Sequence, residues 1–205
     1  MEPKISVTNS KLGHQIPSVS LPPELSCRKD APCARMCYGK KGNFTYSNVK
    51  KSFLSNWESY QSDPVAYFDS IERYLCGGLV SYKYFRWHSV GDIPDVGYLA
   101  GMIRVANRCP SVRFLCFTKR FDMINAWVES GLTPIPDNLR IVFSAWGKGF
   151  RVPNPHGFPV AHVRFRDASR NTEIPELAIP CGGACPECLA CWSLQPGQSV
   201  FFDQH

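Results

Sequence analysis

The chain reads as an α/β protein on a parallel-strand sheet, wound as an open sheet or a partial barrel. Three observations predict this. Strand-like runs alternate with helical ones about every 25–30 residues, the rhythm of βαβ units. Val112–Thr118 (VRFLCFT) and Leu139–Ala145 (LRIVFSA) are near-continuous apolar runs, as strands buried on both faces require. The unusual polar residues follow such runs, where the carboxyl ends of parallel strands collect functional groups.

The elements follow in order. Ile16–Leu21 (IPSVSL) is a short β-prone run stopped by Pro22-Pro23, and a three-cysteine loop comes next. Tyr46 to Leu75 reads helical, with Asp63-Pro64 as a break and a new helix start. Tyr82–His88 (YKYFRWH) is aromatic and strand-like, ending in Ser89-Val90-Gly91-Asp92. From Asp95, the residues Val96, Leu99, Ile103 and Ala106 repeat at helical spacing until Pro110. After the VRFLCFT strand, Asp122–Ser130 is a short amphipathic helix with Gly131 just past its end. Val160–Phe165 and Ser199–Phe202 complete the strands. With no repeat or low-complexity linker, residues 1–205 form one domain, with a core over 16–165 and a cysteine-rich segment over 180–192.

Ten cysteines and 17 prolines are the compositional oddities. The opening MEPKISVTNSKLG has no apolar run of the secretory type, and no window approaches the ~20 apolar residues of a membrane span. The expectation is a cytoplasmic protein without membrane contact. In that reducing compartment clustered thiols read as metal ligands rather than bridges. A net charge of +6 admits an acidic partner without demanding one.

Two cysteine groups carry the chemistry. Cys185-x2-Cys188-x2-Cys191 is the triple spacing that lets three thiolates grip one [4Fe–4S] cubane, and Cys181, after Pro180, supplies a fourth ligand. Gly182-Gly183 lets the backbone bend there. A four-cysteine structural zinc is the alternative, although zinc sites more often pair two separated knuckles. Cys27-x5-Cys33-x3-Cys37 is looser: three thiolates leave one position of a metal centre open. A zinc staple completed by a distant ligand such as His14 accounts equally well for that loop. Arg28, Lys29, Arg35, Lys40 and Lys41 surround it. Cys76, Cys109 and Cys116 lack ligand spacing and read as buried thiols.

Cys27, Cys33 and Cys37 with the following Tyr38, then Val90-Gly91-Asp92-Ile93-Pro94 after a strand, resemble the radical S-adenosylmethionine enzymes. In those enzymes a three-cysteine loop after the first strand binds a [4Fe–4S] cluster, and the turn after the second strand binds the cofactor's amino group. The resemblance implies a (βα)6-type partial barrel and S-adenosylmethionine bound near Tyr38, Gly91, Asp92 and Ser144. It also implies an external electron donor such as a flavodoxin or ferredoxin. The cysteine spacing differs from the family's x3 and x2, and Asp92 stands where a Glu is usual. More narrowly, Gly91-Asp92, Phe117-Thr118-Lys119-Arg120 and the cysteine-rich tail are similar to a phage-borne family called gene product eighty-eight, and the resemblance covers most of residues 16–192. It implies the cytoplasm of a bacterial or phage-infected host cell.

His88, Lys119 and Arg120, at the carboxyl ends of two strands, are the candidate catalytic groups, Lys119 and Arg120 for contact with a carboxylate or phosphate. Packing and strand capping are their ordinary alternatives. Trp146 offers a stacking face. The leading expectation is a radical S-adenosylmethionine-type enzyme with two [4Fe–4S] clusters. Its rivals are a zinc- or cluster-stapled module binding nucleic acid and a degenerate relative used for electron transfer or sensing.

Overall fold

The computed structural model describes every residue except Met1, Thr8, Leu79 and His205. Seven parallel strands form one sheet: β1 (Ser18–Val19), β2 (Tyr84–Trp87), β3 (Arg113–Thr118), β4 (Leu139–Ser144), β5 (Val160–Arg164), β6 (Ile179–Pro180) and β7 (Ser199–Asp203). Their spatial order is β1-β2-β3-β4-β5-β7-β6, so the sheet is open rather than closed into a barrel. Ser6 adds an antiparallel bridge to Ser18 at the β1 edge.

The helices begin where the local chemistry asks. After α1 (Pro23–Ser26) and three short 3-10 turns come α2 (Ser47–Ser62) and α3 (Pro64–Cys76). The break between them is Asp63, whose carboxylate accepts the Ala66 amide at 2.9 Å, with Pro64 at the first helical position. Asp95 caps α4 (Val96–Arg108) in the same way through the Tyr98 amide at 2.9 Å. Helix α5 (Phe121–Ser130) ends on Gly131 in the left-handed region at φ 64°, the position that favours glycine.

From β1 to β5 the chain steps in one direction across the sheet, and right-handed crossovers then place the connections on one face. Helices α2 to α5 accordingly share a core with the inward residues of alternate strand positions, Phe85, Trp87, Phe114, Cys116, Ile141 and Phe143. The step from β6 back to β7 runs the other way, so the same handedness rule sends its connection to the opposite face. That connection contains α6 (Cys185–Cys188) and α7 (Ala190–Ser193). Trp192 and Leu194 pack there with Leu115, Val142, Ala161 and Val200. Trp192 Nε1 donates to the Phe85 carbonyl at 3.1 Å, fastening the tail to β2.

The sequence-predicted strands and helices recur within a few residues at each end; β6 and the two short tail helices were not foreseen. One expectation is corrected. Cys76 and Cys109 are joined by a disulfide that links the ends of α3 and α4, and Cys76 is exposed rather than buried. Cys116 is a buried thiol as expected. No helix among the described residues is long and apolar enough to cross a membrane.

Candidate functional site

The first cysteine group lies at the carboxyl edge of β1, against the turn that follows β2. Tyr38 donates its hydroxyl proton to the Ser89 carbonyl, which anchors the loop to that turn; its ring remains half exposed. A Cβ on Gly39 would stand 2.6 Å from Val90 Cγ1 and 3.4 Å from Cys37 Sγ, so the third sulfur and the β2 turn both border Gly39. Gly91 is required: its φ is +92°, and a Cβ there would meet the Leu21 carbonyl at 2.6 Å.

Burial pushes the Cys27 thiol up to about 12; the neighbouring Asp92, Cys33 and Cys37 act in the same sense, and Lys119 opposes them. Burial raises Cys37 too, against the Gly39 amide, which stabilises its thiolate. The three thiols are therefore close enough to feel one another. Arg28 is paired with Asp30 at 2.7 Å and Asp122 at 2.9 Å, and Lys40 with Glu24 at 3.6 Å. Two of the five loop cations thus have carboxylate partners and little charge to lend.

The acid beside this group is heavily engaged. Asp92 Oδ1 accepts from Thr118 Oγ1 at 2.6 Å and the Ile93 amide at 2.8 Å, while Oδ2 accepts from the Lys119 amide at 2.9 Å. Burial raises its pKa, and these three donors pull it back. Asp92 thereby ties the β2 turn to the end of β3. Arg120 does similar work: its Nη1 donates to the carbonyls of Ile93 at 3.1 Å and Pro94 at 2.7 Å. Lys119 reaches across to β4, donating to Ser144 Oγ at 2.8 Å and standing 5.5 Å from the Trp146 ring centre. Cys27, Asp92, Lys119 and Ser144 thus come together.

His88 does not join them. It is 2% exposed, holds a left-handed φ of 55°, and turns into the helix layer, where Nε2 bonds the Tyr98 hydroxyl at 3.1 Å. Burial, then the Arg86 charge, lowers its pKa to about 3, so it is neutral.

Beyond Trp146 lies an open cleft of about 500 Å³, lined by Pro32, Trp146, Lys148, Phe150, Phe165 and Arg170 among others. Arg170 lies over the Phe165 ring at 4.3 Å and places Nη1 3.7 Å from Met36 Sδ, so the cleft abuts the first cysteine loop. Sequence reading missed Arg170 and Phe165, since neither sits in a recognisable motif.

The second group forms on the sheet face opposite the helices. Cys181, Cys185 and Cys191 pack at its apolar layer, while Cys188 is exposed. Burial lifts Cys191 to about 12, with Cys181, Cys185 and Cys188 contributing and Arg86 opposing. All four tail thiols therefore share one neighbourhood. Gly182 and Gly183 have open space around them, which leaves the loop room to close on a metal. His14 is exposed on a turn whose Gly13 lies against Pro186, beside the tail group. Among the described residues, no three His, Cys, Asp or Glu side chains are already arranged to hold a metal ion. The donor chemistry of both groups suits a thiophilic centre, with ligation drawing the sulfurs together.

The gene 88 protein of Mycobacterium phage L5 is 27% identical over 182 residues, which cover 78% of this chain and 74% of that protein. No solved structure matches. The sequence pattern described as Gene product 88 matches residues 3–193, nearly the whole folded chain, and the chain therefore belongs to the Gene product 88 family.

Proposed function

We propose that this protein is an iron–sulfur enzyme of the radical S-adenosylmethionine type, with a catalytic centre on Cys27, Cys33 and Cys37 and a second centre on Cys181, Cys185, Cys188 and Cys191. The observation that carries the reading is the position of the first thiol group: three mutually sensing sulfurs at the carboxyl edge of a parallel sheet, beside Lys119 and Ser144 and next to an aromatic cleft. When bound, such a cluster, reduced by an external one-electron donor, would supply reductive cleavage of S-adenosylmethionine to methionine and a 5′-deoxyadenosyl radical. The chain's own part is to bind and orient. Three cysteines leave one metal position for the cofactor. The Val90-Gly91-Asp92 turn meets the cysteine loop at Gly39, next to the third sulfur, and Lys119 brings a cation to the carboxylate end of a bound amino acid. Trp146 and Phe165 offer ring faces in the cleft.

A second reading, electron transfer or sensing without cofactor cleavage, is favoured by Asp92. Its carboxylate already serves three donors of its own chain, which competes with an incoming ammonium group.

Anaerobic purification with iron, sulfide and zinc analysis tests the proposal; about eight irons per chain are expected from two four-iron clusters. Adding S-adenosylmethionine to the reduced protein should alter the electron paramagnetic resonance signal, and 5′-deoxyadenosine should accumulate. Cys37→Ala should abolish that product, whereas changing Cys185, Cys188 and Cys191 together should leave part of it. A signal change without product selects the second reading. Stoichiometric zinc without iron overturns both and favours a metal-stapled module, whose binding to nucleic acid would weaken with salt.

A further inference from the structure

Arg86 sits near the end of β2, between Phe85 and Trp87, which point into the helix layer. Strand alternation turns Arg86 to the other face, the one that carries Tyr84 and the cysteine-rich tail. Its guanidinium lies over the Phe117 ring, 5.0 Å from the centroid, and its Nε is buried with no hydrogen-bond partner. No ion pair is formed by this side chain with any described residue, and its neighbours there, Leu115, Phe117 and Trp192, carry no carboxylate. A partly buried cation without an anion is costly, and an anion brought to it offsets that cost.

The tail thiols share that face. Cys181, Cys185 and Cys191 pack on the same apolar layer as Leu115, the residue paired with Arg86 across β2 and β3, and Trp192, next to Cys191, is hydrogen-bonded to the carbonyl of Phe85, the residue before Arg86. Four thiolates around a doubly charged metal core, whether zinc or a cubane, carry a net double negative charge. The same cysteines joined as disulfides are neutral and leave the guanidinium unmatched.

We propose that Arg86 is the built-in counter-cation of an anionic tetrathiolate metal centre formed by Cys181, Cys185, Cys188 and Cys191. This rests on the reading that the tail binds metal, and the test separates the two. The full chain carrying Cys27→Ser, Cys33→Ser and Cys37→Ser, so that only the tail group remains, is titrated anaerobically with Zn²⁺ against a chromophoric chelator. Arg86→Met and Arg86→Lys are made in the same background. Arg86→Met should weaken zinc binding about ten- to a hundredfold, the usual effect of losing an outer partner of a metal ligand. Arg86→Lys should stay closer to the parent. Without metal, Arg86→Met should unfold at the same or higher urea concentration, because an unmatched charge has gone while the packed stem is kept. Weaker metal binding with no loss of metal-free stability is what a purely structural arginine cannot produce. Zinc bound by Arg86→Met as tightly as by the parent overturns the inference while leaving the metal reading intact. A parent tail that fails to take up one zinc through its thiols overturns the metal reading, and the inference with it.

Discussion

His88 makes the folded protein acid-sensitive by an amount that follows from its surroundings. In an unfolded chain the imidazole titrates near 6.5, whereas in the fold its pKa falls to about 3, chiefly through burial and secondarily through Arg86. Between those values the unfolded state binds one more proton than the folded state, so stability falls as pH falls. The contribution is fully present above the unfolded pKa and is lost towards the folded one. At about 1.36 kcal/mol per pH unit, lowering the pH from about 7 to about 4.5 removes roughly 2.5 kcal/mol. Asp92 has the opposite sign, because its raised pKa makes folding take up a proton just above the ordinary carboxylate range. Comparing His88→Asn with the parent cancels that term. Asparagine tolerates the left-handed backbone at this position and does not titrate. Loss of the Tyr98 hydrogen bond and of ring packing in the variant is a constant offset. Urea unfolding at several pH values should therefore show the parent losing stability relative to the variant by about 2.5 kcal/mol over this range. A parent–variant difference that stays flat across it refutes the assignment of a neutral, buried imidazole.

Three further outcomes are expected. Gly91→Ala forces a side chain onto a φ of +92° and against the Leu21 carbonyl, so the urea midpoint should drop by at least ~2 kcal/mol equivalent; an unchanged midpoint rejects the turn geometry. Asp92→Ala strands a buried threonine hydroxyl and two amides, at about 1–3 kcal/mol for each lost partner, and calorimetry should also show S-adenosylmethionine binding weakened about ten- to a hundredfold. Equal cofactor affinity in that variant confines Asp92 to holding the β2 turn. The Cys76–Cys109 disulfide spans 33 positions, for which loop-closure entropy predicts about 3–4 kcal/mol. Reductant should lower the parent's thermal midpoint and leave a Cys76→Ala, Cys109→Ala chain unaffected.

What the sequence determined by itself was local. Asp63-Pro64, Asp95 and Gly131 announced helix ends because capping is a matter of a few adjacent residues. The apolar runs of β3 and β4 announced buried strands, and the two cysteine groups announced themselves by spacing. The tertiary structure decided where those pieces face. The step back from β6 to β7 depends on long-range pairing of a two-residue strand, which no periodicity records, yet it alone carries the tail thiols onto the face that holds Arg86. The same is true of Asp92 and Arg120, which the sequence offered as site residues and the fold engages in tying the β2 turn to the end of β3. His88 was drawn into the helix layer by its left-handed backbone, and Cys76 found Cys109 through the packing of α3 on α4. Sequence spacing records which residues can share a face, but the partner of a buried polar group is chosen only when distant elements close around it.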